Sequence, residues 1–449
     1  MSEPLSRGDA IYAELLERLG EDQPQPRLDA TRRVAELLGD PQNSYPVILI
    51  TGTNGKTSTS RMTESLLRAL GLRTGLFTSP HLQRFNERIV IDGEPIGDDA
   101  LDVVWQDIKP YVAMVDNELV AQGEPRLTFF ETMTALAYAA FADAPVEVAV
   151  VEVGMGGEWD STNIVDAAVS VFTPIDLDHV EKLGRTIAEI ATTKAGIIAE
   201  GCDVVSARQT PEADTILAER AHSLHVPFLR EGVDFAVDSS TVGVGGQLLA
   251  LRGLSGTMYN EIMLPLYGEH QAQNAAVALA AVEAFTGRRV IAHDILDEGF
   301  GQVTVPGRLQ LLGATPPVYA DAAHNPHGAR ALAASLSGFF AFEELALVFG
   351  SLRDKDSYGV MEALRDSVST VFVTQSSSER SHSVEDLAEI VRDASATLDV
   401  FERDSLEDAI ESARNWAEQG ESRGVIVAGS IVLIGEVMTI AQQNGWALS

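Results

Sequence analysis

Two periods of apolar residues alternate along the chain. Nearly continuous runs of valine, isoleucine, leucine and alanine at 46–51, 146–154 and 167–175 are typical of strands that are buried on both faces of a parallel sheet. Helical spacing is found at 8–39, with a proline-containing break at 23–26, and again at 59–70, 131–142, 187–199 and 274–285. This alternation predicts an α/β fold built on a mainly parallel sheet.

The pattern changes twice in the second half of the chain. Between 226 and 266 the apolar runs are short and broken by Gly, Asp and Ser, which predicts an antiparallel flap. The segment GFGQVTVPG at 299–307 is rich in turn-forming residues, and beyond it strands are predicted at 317–320, 345–349, 371–374 and 424–427. We therefore predict a large N-terminal domain over residues 1–300 and a smaller, Rossmann-like α/β domain over residues 307–449.

Composition narrows the choice of partner and compartment. The 449 residues are enough for two or three hydrophobic cores, and the formal net charge of −34 argues against nucleic acid or an anionic membrane as the partner. Cys202 is the only cysteine, and the N-terminal sequence lacks the basic and apolar segments of a secretion signal. No apolar run approaches membrane-spanning length. We expect a soluble protein of the cytoplasm.

The segment between the first predicted strand and the next helix reads TGTNGKTS, residues 51–58. A glycine-bearing turn between a buried strand and a helix N-terminus directs backbone N–H groups and the positive end of the helix dipole at an anion, and Lys56 adds a point charge. The usual phosphate loop reads GxxxxGK followed by Ser or Thr, whereas Ile50 stands here where the first glycine is expected. The segment therefore predicts a nucleotide-binding loop of a shortened kind.

Carboxylate, imidazole and hydroxyl groups follow the other predicted strands. Glu152 lies near the end of the strand at 146–154, the place of an acidic residue that holds nucleotide-bound magnesium; the alternative is a carboxylate that emerges into solvent. Asp176, Asp178 and His179 follow the next strand, and Ser79 follows a further apolar pair. Together they predict one octahedral, oxygen-rich metal site with a histidine ligand.

Lysine is used sparingly in this chain. There are five lysines, and Lys56, Lys194 and Lys355 lie in motif-like segments. Lysine, unlike arginine, can lose its proton and then act as a nucleophile or a site of modification. Near metal ions, the neutral amine of Lys194 could take up carbon dioxide and become a carbamate, an anionic oxygen ligand. The sequence equally permits a solvated helix lysine.

The predicted second domain has its own polar loop. Asp321, His324 and Asn325 lie in the segment DAAHNP, directly after the predicted strand at 317–320. Ligands of open α/β sheets bind beyond the carboxyl ends of the strands, so an acid, an imidazole and an amide at this place are candidates for chemistry. The alternative is that His324 only caps a turn with Asn325.

With these motifs in order, the chain resembles the folylpolyglutamate synthase and dihydrofolate synthase family within the Mur-type ligases. The resemblance covers nearly the whole chain and rests on RLDATRRV, TGTNGKTS, TSPHL with NERI, LTFFE, VEVGMGGEWDSTN, LDHVEKLG, TTKAGI, GEHQAQNAA, PGR, DAAHNP and AGSIVLIGEV. It implies a P-loop ATPase domain with a pterin site over 1–300 and a ligase domain over 307–449. It also implies an ATP-dependent ligation in folate biosynthesis and one-carbon metabolism. The carboxylate of dihydropteroate, or the γ-carboxylate of a reduced folate, is phosphorylated to an acyl phosphate, and the amine of L-glutamate attacks it.

The resemblance implies roles for individual residues as well. ATP contacts are expected at Thr53, Asn54, Gly55, Lys56, Thr57, Asn274, Arg308 and Asp321. Magnesium ligands are expected at Ser79, Glu152 and His179, with a second Mg²⁺ site through a carbamylated Lys194. The pterin side is expected at Leu28, Asp29, Thr128, Phe129, Phe130, Glu131, Trp159 and Asp160. The expected catalytic residues are Lys56, Lys194, Asp321 and His324, of which His324 orients the incoming glutamate or phosphate.

Several points stay open at the level of sequence. Glu158 departs from the family pattern, because a basic residue is frequent there and a carboxylate disfavours an anionic substrate group unless it points away. One alternative function is a Mur-type ligase of peptidoglycan synthesis, but only residues 1–50 precede the phosphate loop, too few for the separate substrate domain of such enzymes. The other is a phosphate-loop kinase or nucleotide-binding regulatory module. The choice between dihydropteroate and reduced folates is also open, whereas we expect a monomer.

Overall fold

The structure is a computed structural model that describes residues 6–21 and 23–446. The chain forms two compact units. Unit 1 comprises Met1–Thr241, Leu248–Pro265 and Ala272–Val303, and unit 2 comprises Val242–Gln247, Leu266–Gln271 and Thr304–Ser449. In the described part of the chain, no helix is long and apolar enough to cross a membrane.

The large sheet belongs to unit 1. Its strands are β1 (Val47–Thr51), β2 (Thr74–Phe77), β3 (Ile89–Ile91), β4 (Glu94–Pro95), β5 (Val148–Glu152), β6 (Val169–Phe172), β7 (Asp203–Ser206) and β8 (Phe228–Arg230). Their order is β4-β3-β2-β5-β1-β6-β7-β8. The six strands from β2 to β8 in this order are parallel to one another, while β3 and β4 add an antiparallel edge. The α/β fold with a mainly parallel sheet is thus confirmed.

Helices cover this sheet and supply its core. The helices up to residue 301 are α1 (Arg7–Leu15), α2 (Asp29–Leu37), α3 (Lys56–Ala69), α4 (Asp98–Ala121), α5 (Phe129–Asp143), α6 (Val180–Leu183), α7 (Ile187–Ala195), α8 (Pro211–Ser223), α9 (Glu269–Phe285) and α10 (His293–Gly301). Short 3₁₀ turns lie at Pro41–Asn43 and Phe85–Arg88. Every residue of β1 and β5 is buried, which explains why their sequences are continuously apolar rather than alternating.

The predicted antiparallel flap is only partly correct. Three strands, β9 (Ala236–Gly243), β10 (Gly246–Arg252) and β11 (Met258–Leu264), form a separate sheet in the order β11-β10-β9. The beginning of the predicted segment belongs elsewhere, because β8 pairs in parallel with β7 at the edge of the large sheet. A strand of three residues is too short to show its partner in the apolar pattern.

Unit 2 contains a six-stranded sheet. Its strands are β12 (Gln310–Ala314), β13 (Pro317–Ala320), β14 (Glu344–Phe349), β15 (Thr370–Val373), β16 (Asp399–Glu402) and β17 (Arg423–Ala428). They are arranged in the order β12-β13-β17-β14-β15-β16, with only β12 antiparallel to its neighbour. The helices are α11 (Pro326–Phe339), α12 (Ser357–Leu364), α13 (Val384–Ala394), α14 (Leu406–Glu418) and α15 (Ile431–Gln443). The four strands predicted for this part are present, whereas β12 and β16 at the two edges were not predicted.

Candidate functional site

The central strands of unit 1 end together at one edge of the large sheet. In register, Phe77 of β2 lies beside Val151 of β5, and Ile50 of β1 lies beside Glu152. Thr51 lies beside Phe172 of β6. The polar residues that were chosen as site candidates from the sequence lie at the ends of these strands or in the segments that follow them. The parallel register therefore brings the phosphate loop, Glu152 and the segment around His179 to the same edge.

Two glycines shape the phosphate loop. A Cβ atom on Gly52 would lie 1.9 Å from Thr173 Oγ1, so the loop passes too close to the end of β6 for any other residue. Gly55 has φ +89°, and a Cβ there would lie 2.6 Å from Asn274 Oδ1. The turn thus begins after β1, and Ile50, where a longer loop would carry glycine, is fully buried within the strand. Helix α3 begins at Lys56, three residues before the predicted start, because the loop leads straight into it.

The polar side chains of the loop bond to the neighbouring segments. Thr53 Oγ1 donates to the carbonyl of Asp176 at 2.9 Å and accepts from the Asp176 N–H at 3.0 Å. Lys56 Nζ lies 3.3 Å from the carbonyl of Gly52, so its ammonium folds back over the loop. The Thr57 hydroxyl is 3.0 Å from each carboxylate oxygen of Glu152. The loop and the end of β5 are thereby joined directly.

Lys194 on α7 points into the same place. Its Nζ donates to the carbonyl of Gly52 at 2.8 Å, and the residue is only 4% exposed. The pKa of Lys194 is lowered to about 7, first by burial and then by the positive charge of Lys56, against the opposing effect of Asp178 and Asp160. One small cavity is lined by Gly52, Lys56, Asp178, His179 and Lys194, among others. The interpretation of Lys194 as a solvated helix lysine is therefore wrong.

The expected metal ligands differ in how they are held. Glu152 is buried at the end of β5, while His179 has φ 49° at the start of α6 and its side chain is 38% exposed. Asp178, for which the sequence suggested no separate role, has an oxygen 3.9 Å from His179 Nε2. Ser79 lies two residues beyond β2. Within the described ranges no three His, Cys, Asp or Glu side chains form a cluster of the kind that holds a metal by themselves.

Six of the eight residues expected on the pterin side lie at the starts of α2 and α5. Thr128 caps α5: its hydroxyl accepts from the Glu131 N–H at 3.1 Å, and Glu131 accepts in return from the Thr128 N–H at 2.7 Å. Leu28 and Asp29 lie at the start of α2. Directly before them, Arg27 Nε donates to Glu131 at 2.8 Å. Glu131 is thus engaged in fixing the α5 start to the segment before α2.

The two phenylalanines of α5 have different surroundings. Phe129 is buried, and its ring packs edge-on against Tyr12 with a centroid distance of 6.0 Å. Phe130 is partly exposed, and its ring lies so close to Gly154 that a Cβ there would be 2.5 Å from the ring. The flat face available next to the glycine-rich loop after β5 is therefore that of Phe130.

The glycine-rich loop after β5 is held by Asp160. This carboxylate accepts from the Met155 N–H at 2.8 Å and from the Thr162 hydroxyl at 2.6 Å, and its pKa is raised by burial although these bonds oppose the shift. Trp159 beside it is partly buried. Glu158 is exposed, and its N–H donates to the carbonyl of Thr193 at 2.8 Å. The described contacts of Asp160 thus serve the shape of the loop.

In unit 2 the polar candidates surround the start of the β13–α11 loop. Asp321 accepts from the N–H groups of Leu309 and Ala323, both at 2.9 Å, and burial raises its pKa while Arg308 opposes the shift. His324 Nδ1 donates to the carbonyl of Ala322 at 2.9 Å. His270 lies in the segment GEHQAQNAA but was not chosen as a candidate from the sequence. The residue is partly buried, and its pKa is lowered to about 4, first by burial of the ring and then by the positive charge of Arg308.

Comparison with known proteins assigns this arrangement to a family. The Mur ligase middle domain matches residues 50–282, and the Mur ligase, glutamate ligase domain matches residues 307–431. The dihydrofolate synthase/folylpolyglutamate synthase of Mycobacterium tuberculosis is 43% identical over 447 residues, covering 94% of this chain and 92% of the relative. The solved structure of Mycobacterium tuberculosis folylpolyglutamate synthase complexed with ADP has a TM-score of 0.92 at 43% identity, covering 97% and 98% of the two chains. The structure of Escherichia coli FolC in complex with DHPP and ADP has a TM-score of 0.84 at 29% identity, covering 98% and 99%.

The two family matches include the segments around the phosphate loop and the polar loop of unit 2. The middle-domain match contains the phosphate loop, Glu152, His179 and Lys194, and the second match contains Arg308 and the DAAHNP segment. The identity to a named relative extends over nearly the full length of both chains. The chain therefore belongs to the folylpolyglutamate synthase/dihydrofolate synthase family of Mur ligases, and it is an ATP-dependent ligase that joins glutamate to folate.

Proposed function

We propose that the enzyme joins L-glutamate both to the carboxylate of dihydropteroate and to the γ-carboxylate of reduced folates, through an acyl phosphate and with release of ADP and phosphate. The proposal rests on one observation. The phosphate loop, Glu152 and Lys194 lie together at one edge of the sheet, where Lys194 Nζ is 2.8 Å from the Gly52 carbonyl. A carboxylate oxygen is a poor leaving group, and phosphorylation turns it into a good one. The γ-phosphate of ATP must therefore be held before the amine attacks.

ATP is assigned to the phosphate loop. Backbone N–H groups of residues 54–57 and the N-terminus of α3 suit the phosphates, and Lys56 offsets their charge. We assign further nucleotide contacts to Asn274, Arg308 and Asp321. The proposed domains are an ATPase domain with the pterin site over residues 1–300 and a ligase domain over residues 307–449. Asp321 and His324 make both domains necessary for turnover, since we assign His324 to the incoming glutamate or to the phosphate.

Magnesium is assigned to Ser79, Glu152 and His179. The donor chemistry fits this ion: Mg²⁺ keeps several water ligands and takes one or two carboxylates together with phosphate oxygens, so that three clustered acids are not required. The Thr57 hydroxyl and the Glu152 carboxylate, 3.0 Å apart, form the pair of a phosphate-loop hydroxyl and a strand-end acid that suits nucleotide-bound magnesium. When bound, the ion offsets negative charge on the transferring phosphoryl group.

We propose that Lys194 is carbamylated and that its carbamate serves a second Mg²⁺. Support comes from its burial, from its place in the cavity beside Lys56 and from its contact with the phosphate loop. A second ammonium beside Lys56 is repelled, whereas a carbamate is attracted. Carbamylation of Lys194 thus replaces a positive charge with a negative charge at the centre of the site.

The pterin is assigned to the surface next to the glycine-rich loop after β5. The exposed part of the Phe130 ring offers a flat apolar face, which suits a heterocycle. Leu28, Asp29, Thr128, Phe129, Glu131, Trp159 and Asp160 complete the proposed pterin side. Their described contacts indicate that Phe129, Glu131 and Asp160 act by holding segments in place. Glu158 is exposed, so its carboxylate is compatible with an anionic substrate.

Cell compartment and assembly are proposals too. The single cysteine and the net charge of −34 suit a reducing compartment and a protein that binds neither nucleic acid nor anionic membranes. We place the enzyme in the cytoplasm as a monomer.

One assay separates this function from its alternatives. The purified enzyme is incubated with ATP, Mg²⁺, L-glutamate and either dihydropteroate or a reduced folate, and both ADP release and product mass are measured. We expect ADP release that requires a pterin and glutamate, and a product heavier by one glutamyl unit with each pterin. A stable phosphorylated pterin that accumulates in the presence of glutamate, with no glutamylated product, indicates a kinase instead, and ADP release without a pterin indicates a plain ATPase.

A further inference from the structure

Arg88 is a buried guanidinium that touches three separate segments of unit 1. Its side chain is only 3% exposed. Nε donates to His81 Nδ1 at 2.8 Å, and Nη1 and Nη2 donate to the two carboxylate oxygens of Glu21 at 2.7 and 3.0 Å. The guanidinium carbon also lies 5.2 Å from the centre of the Phe129 ring. Arg88 thus bonds to Glu21 through both Nη groups and to His81 through Nε, and it lies over the ring of Phe129.

Each of these segments adjoins a residue assigned to substrate or metal. Glu21 lies in the connection between α1 and α2, which leads to Leu28. His81 lies two residues beyond Ser79, and the backbone carbonyl of Arg88 accepts from the Thr78 N–H at 3.1 Å. Phe129 immediately precedes Phe130, which is partly exposed and is assigned to the pterin. A displacement of Arg88 is thus transmitted to both sides of the proposed pterin site.

The contacts demand arginine rather than lysine at this position. A planar guanidinium can bond bidentately to a carboxylate, donate to an imidazole and stack on an aromatic ring at the same time. An ammonium offers only a point charge and cannot reproduce this set. Aromatic packing strengthens the arrangement, since Tyr12 lies 5.3 Å from Phe85 in a stacked geometry and 5.1 Å from His81.

We propose that Arg88, held by Glu21, is a positioning residue for the pterin substrate, fixing Phe129 and the His81 segment so that the pterin surface is formed before the substrate arrives. This inference rests on the proposed function. Neither residue is assigned a direct contact with the pterin or with ATP. The pair therefore acts on the affinity for the pterin through preorganisation, since a surface that must be ordered on binding costs affinity.

The test compares Glu21→Gln and Arg88→Lys with the wild-type enzyme in steady-state kinetics. Because the loss of a charged hydrogen bond is worth a factor of about ten, we expect KM for the pterin to rise about tenfold in Arg88→Lys and somewhat less in Glu21→Gln. KM for ATP and kcat stay near wild type. A variant that is merely partly unfolded loses active enzyme, which lowers kcat and leaves both KM values unchanged. Glu21→Gln keeps the test valid if Arg88→Lys does not fold, because Glu21 is 39% exposed.

Glu344→Gln is the matched control. Glu344 likewise pairs with an arginine, Arg423, at 2.7 Å, and that arginine likewise lies over an aromatic ring, Trp416, at 4.3 Å. This pair belongs to unit 2, to which no pterin contact is assigned. The proposal is overturned if both test variants keep the wild-type KM for the pterin, if KM for ATP rises in parallel, or if Glu344→Gln raises the pterin KM equally. A wild-type enzyme without ligase activity contradicts the proposed function itself.

Discussion

At the scale of single residues, burial and neighbouring charge decide what Lys194 can do. The side chain is enclosed beside Lys56, and its ammonium form is disfavoured first by burial and then by this like charge. Its hydrogen bond to the Gly52 carbonyl keeps it at the phosphate loop. Carbon dioxide reacts with a neutral amine. Lys194, held in this form at the phosphate loop, is therefore a group that carbon dioxide can modify.

Lys194→Arg should abolish ligase activity. Arginine cannot lose its proton and so cannot carry a carbamate, and its larger head does not fit the buried position. We expect ADP release to fall at least about a hundredfold, as is usual when a group that acts in the transition state is lost. Lys109→Arg, on α4 where the side chain is 45% exposed, serves as the control and should keep wild-type activity. An active Lys194→Arg enzyme contradicts the carbamate.

Gly55→Ala should abolish nucleotide binding, and Gly71→Ala serves as the matched control. Gly55 has φ +89°, and an added methyl group meets Asn274 Oδ1 at 2.6 Å, whereas Gly71 has φ +84° with open space around it. Gly71→Ala therefore carries only the backbone strain, about 1 kcal/mol of stability, and should bind ADP normally. Calorimetric titration with ADP and a thermal melt measure the two effects. Equal ADP affinities of the two variants would falsify the role of this close approach.

The residues of the phosphate site could largely be chosen from the sequence. Lys56 and Glu152 follow strands of continuous apolar sequence, and strand ends in a parallel sheet bring ligands together wherever they lie in the chain. Asp178 was named only as one member of a predicted metal site, and His270 received no role, because the significance of each depends on tertiary neighbours. These are the cavity shared with Lys194 for Asp178, and Arg308 for His270. No local pattern reveals such a neighbour. The same holds for Arg88, whose partners are 7, 41 and 67 positions away in the cases of His81, Phe129 and Glu21.

At the scale of elements, the strands with long apolar runs were predicted, whereas the edge strands β12 and β16 and the short buried strand β7 were not. The apolar runs of β1, β5 and β6 are continuous because both faces of each strand are buried. In contrast, β16 is mostly exposed and β12 is partly exposed, so neither gives a strong apolar signal. Helix starts were set too late at α3 and α9, where functional loops lead directly into the helix. Propensity alone does not place such a start, because the loop glycine supplies the N-cap.

The capping box of α5 gives a prediction at this scale. Thr128→Ala removes the hydroxyl that accepts from the Glu131 N–H and should cost about 1 kcal/mol of stability. It should also raise KM for the pterin, because the cap fixes the first turn that carries Phe129 and Phe130. Thr210→Ala removes the corresponding cap of α8, where the hydroxyl accepts from the Ala213 N–H at 3.4 Å. That control should lose stability without a change in the pterin KM, and thermal melts with steady-state kinetics distinguish the two.

At the scale of the whole molecule, charge and core structure set the conditions for nucleotide binding. A chain with a net charge of −34 repels ATP at long range, so the attraction must come from local groups: the loop N–H groups, the dipole of α3 and Lys56. One hydrophobic core lies around β1, β5 and α5 in unit 1, and another lies around β14, β15 and α13 in unit 2. Separate cores permit separate unfolding transitions. Nucleotide binding should therefore be visible as an effect on the transition of the unit that holds the phosphate loop.

Mg²⁺ with ADP should raise the melting temperature of unit 1. A ligand that binds only the folded state stabilises it by about 2.7 kcal/mol at a hundred times its dissociation constant. Differential scanning calorimetry with and without Mg²⁺ and ADP measures the shift. The transition of unit 1 can be recognised through tryptophan fluorescence of a variant with Trp416→Phe and Trp446→Phe, because the remaining Trp105 and Trp159 both lie in unit 1. The shift should vanish in Gly55→Ala and persist in Gly71→Ala. An equal shift in both variants would mean that ADP binds outside the phosphate loop, since a site elsewhere does not depend on the space between Gly55 and Asn274.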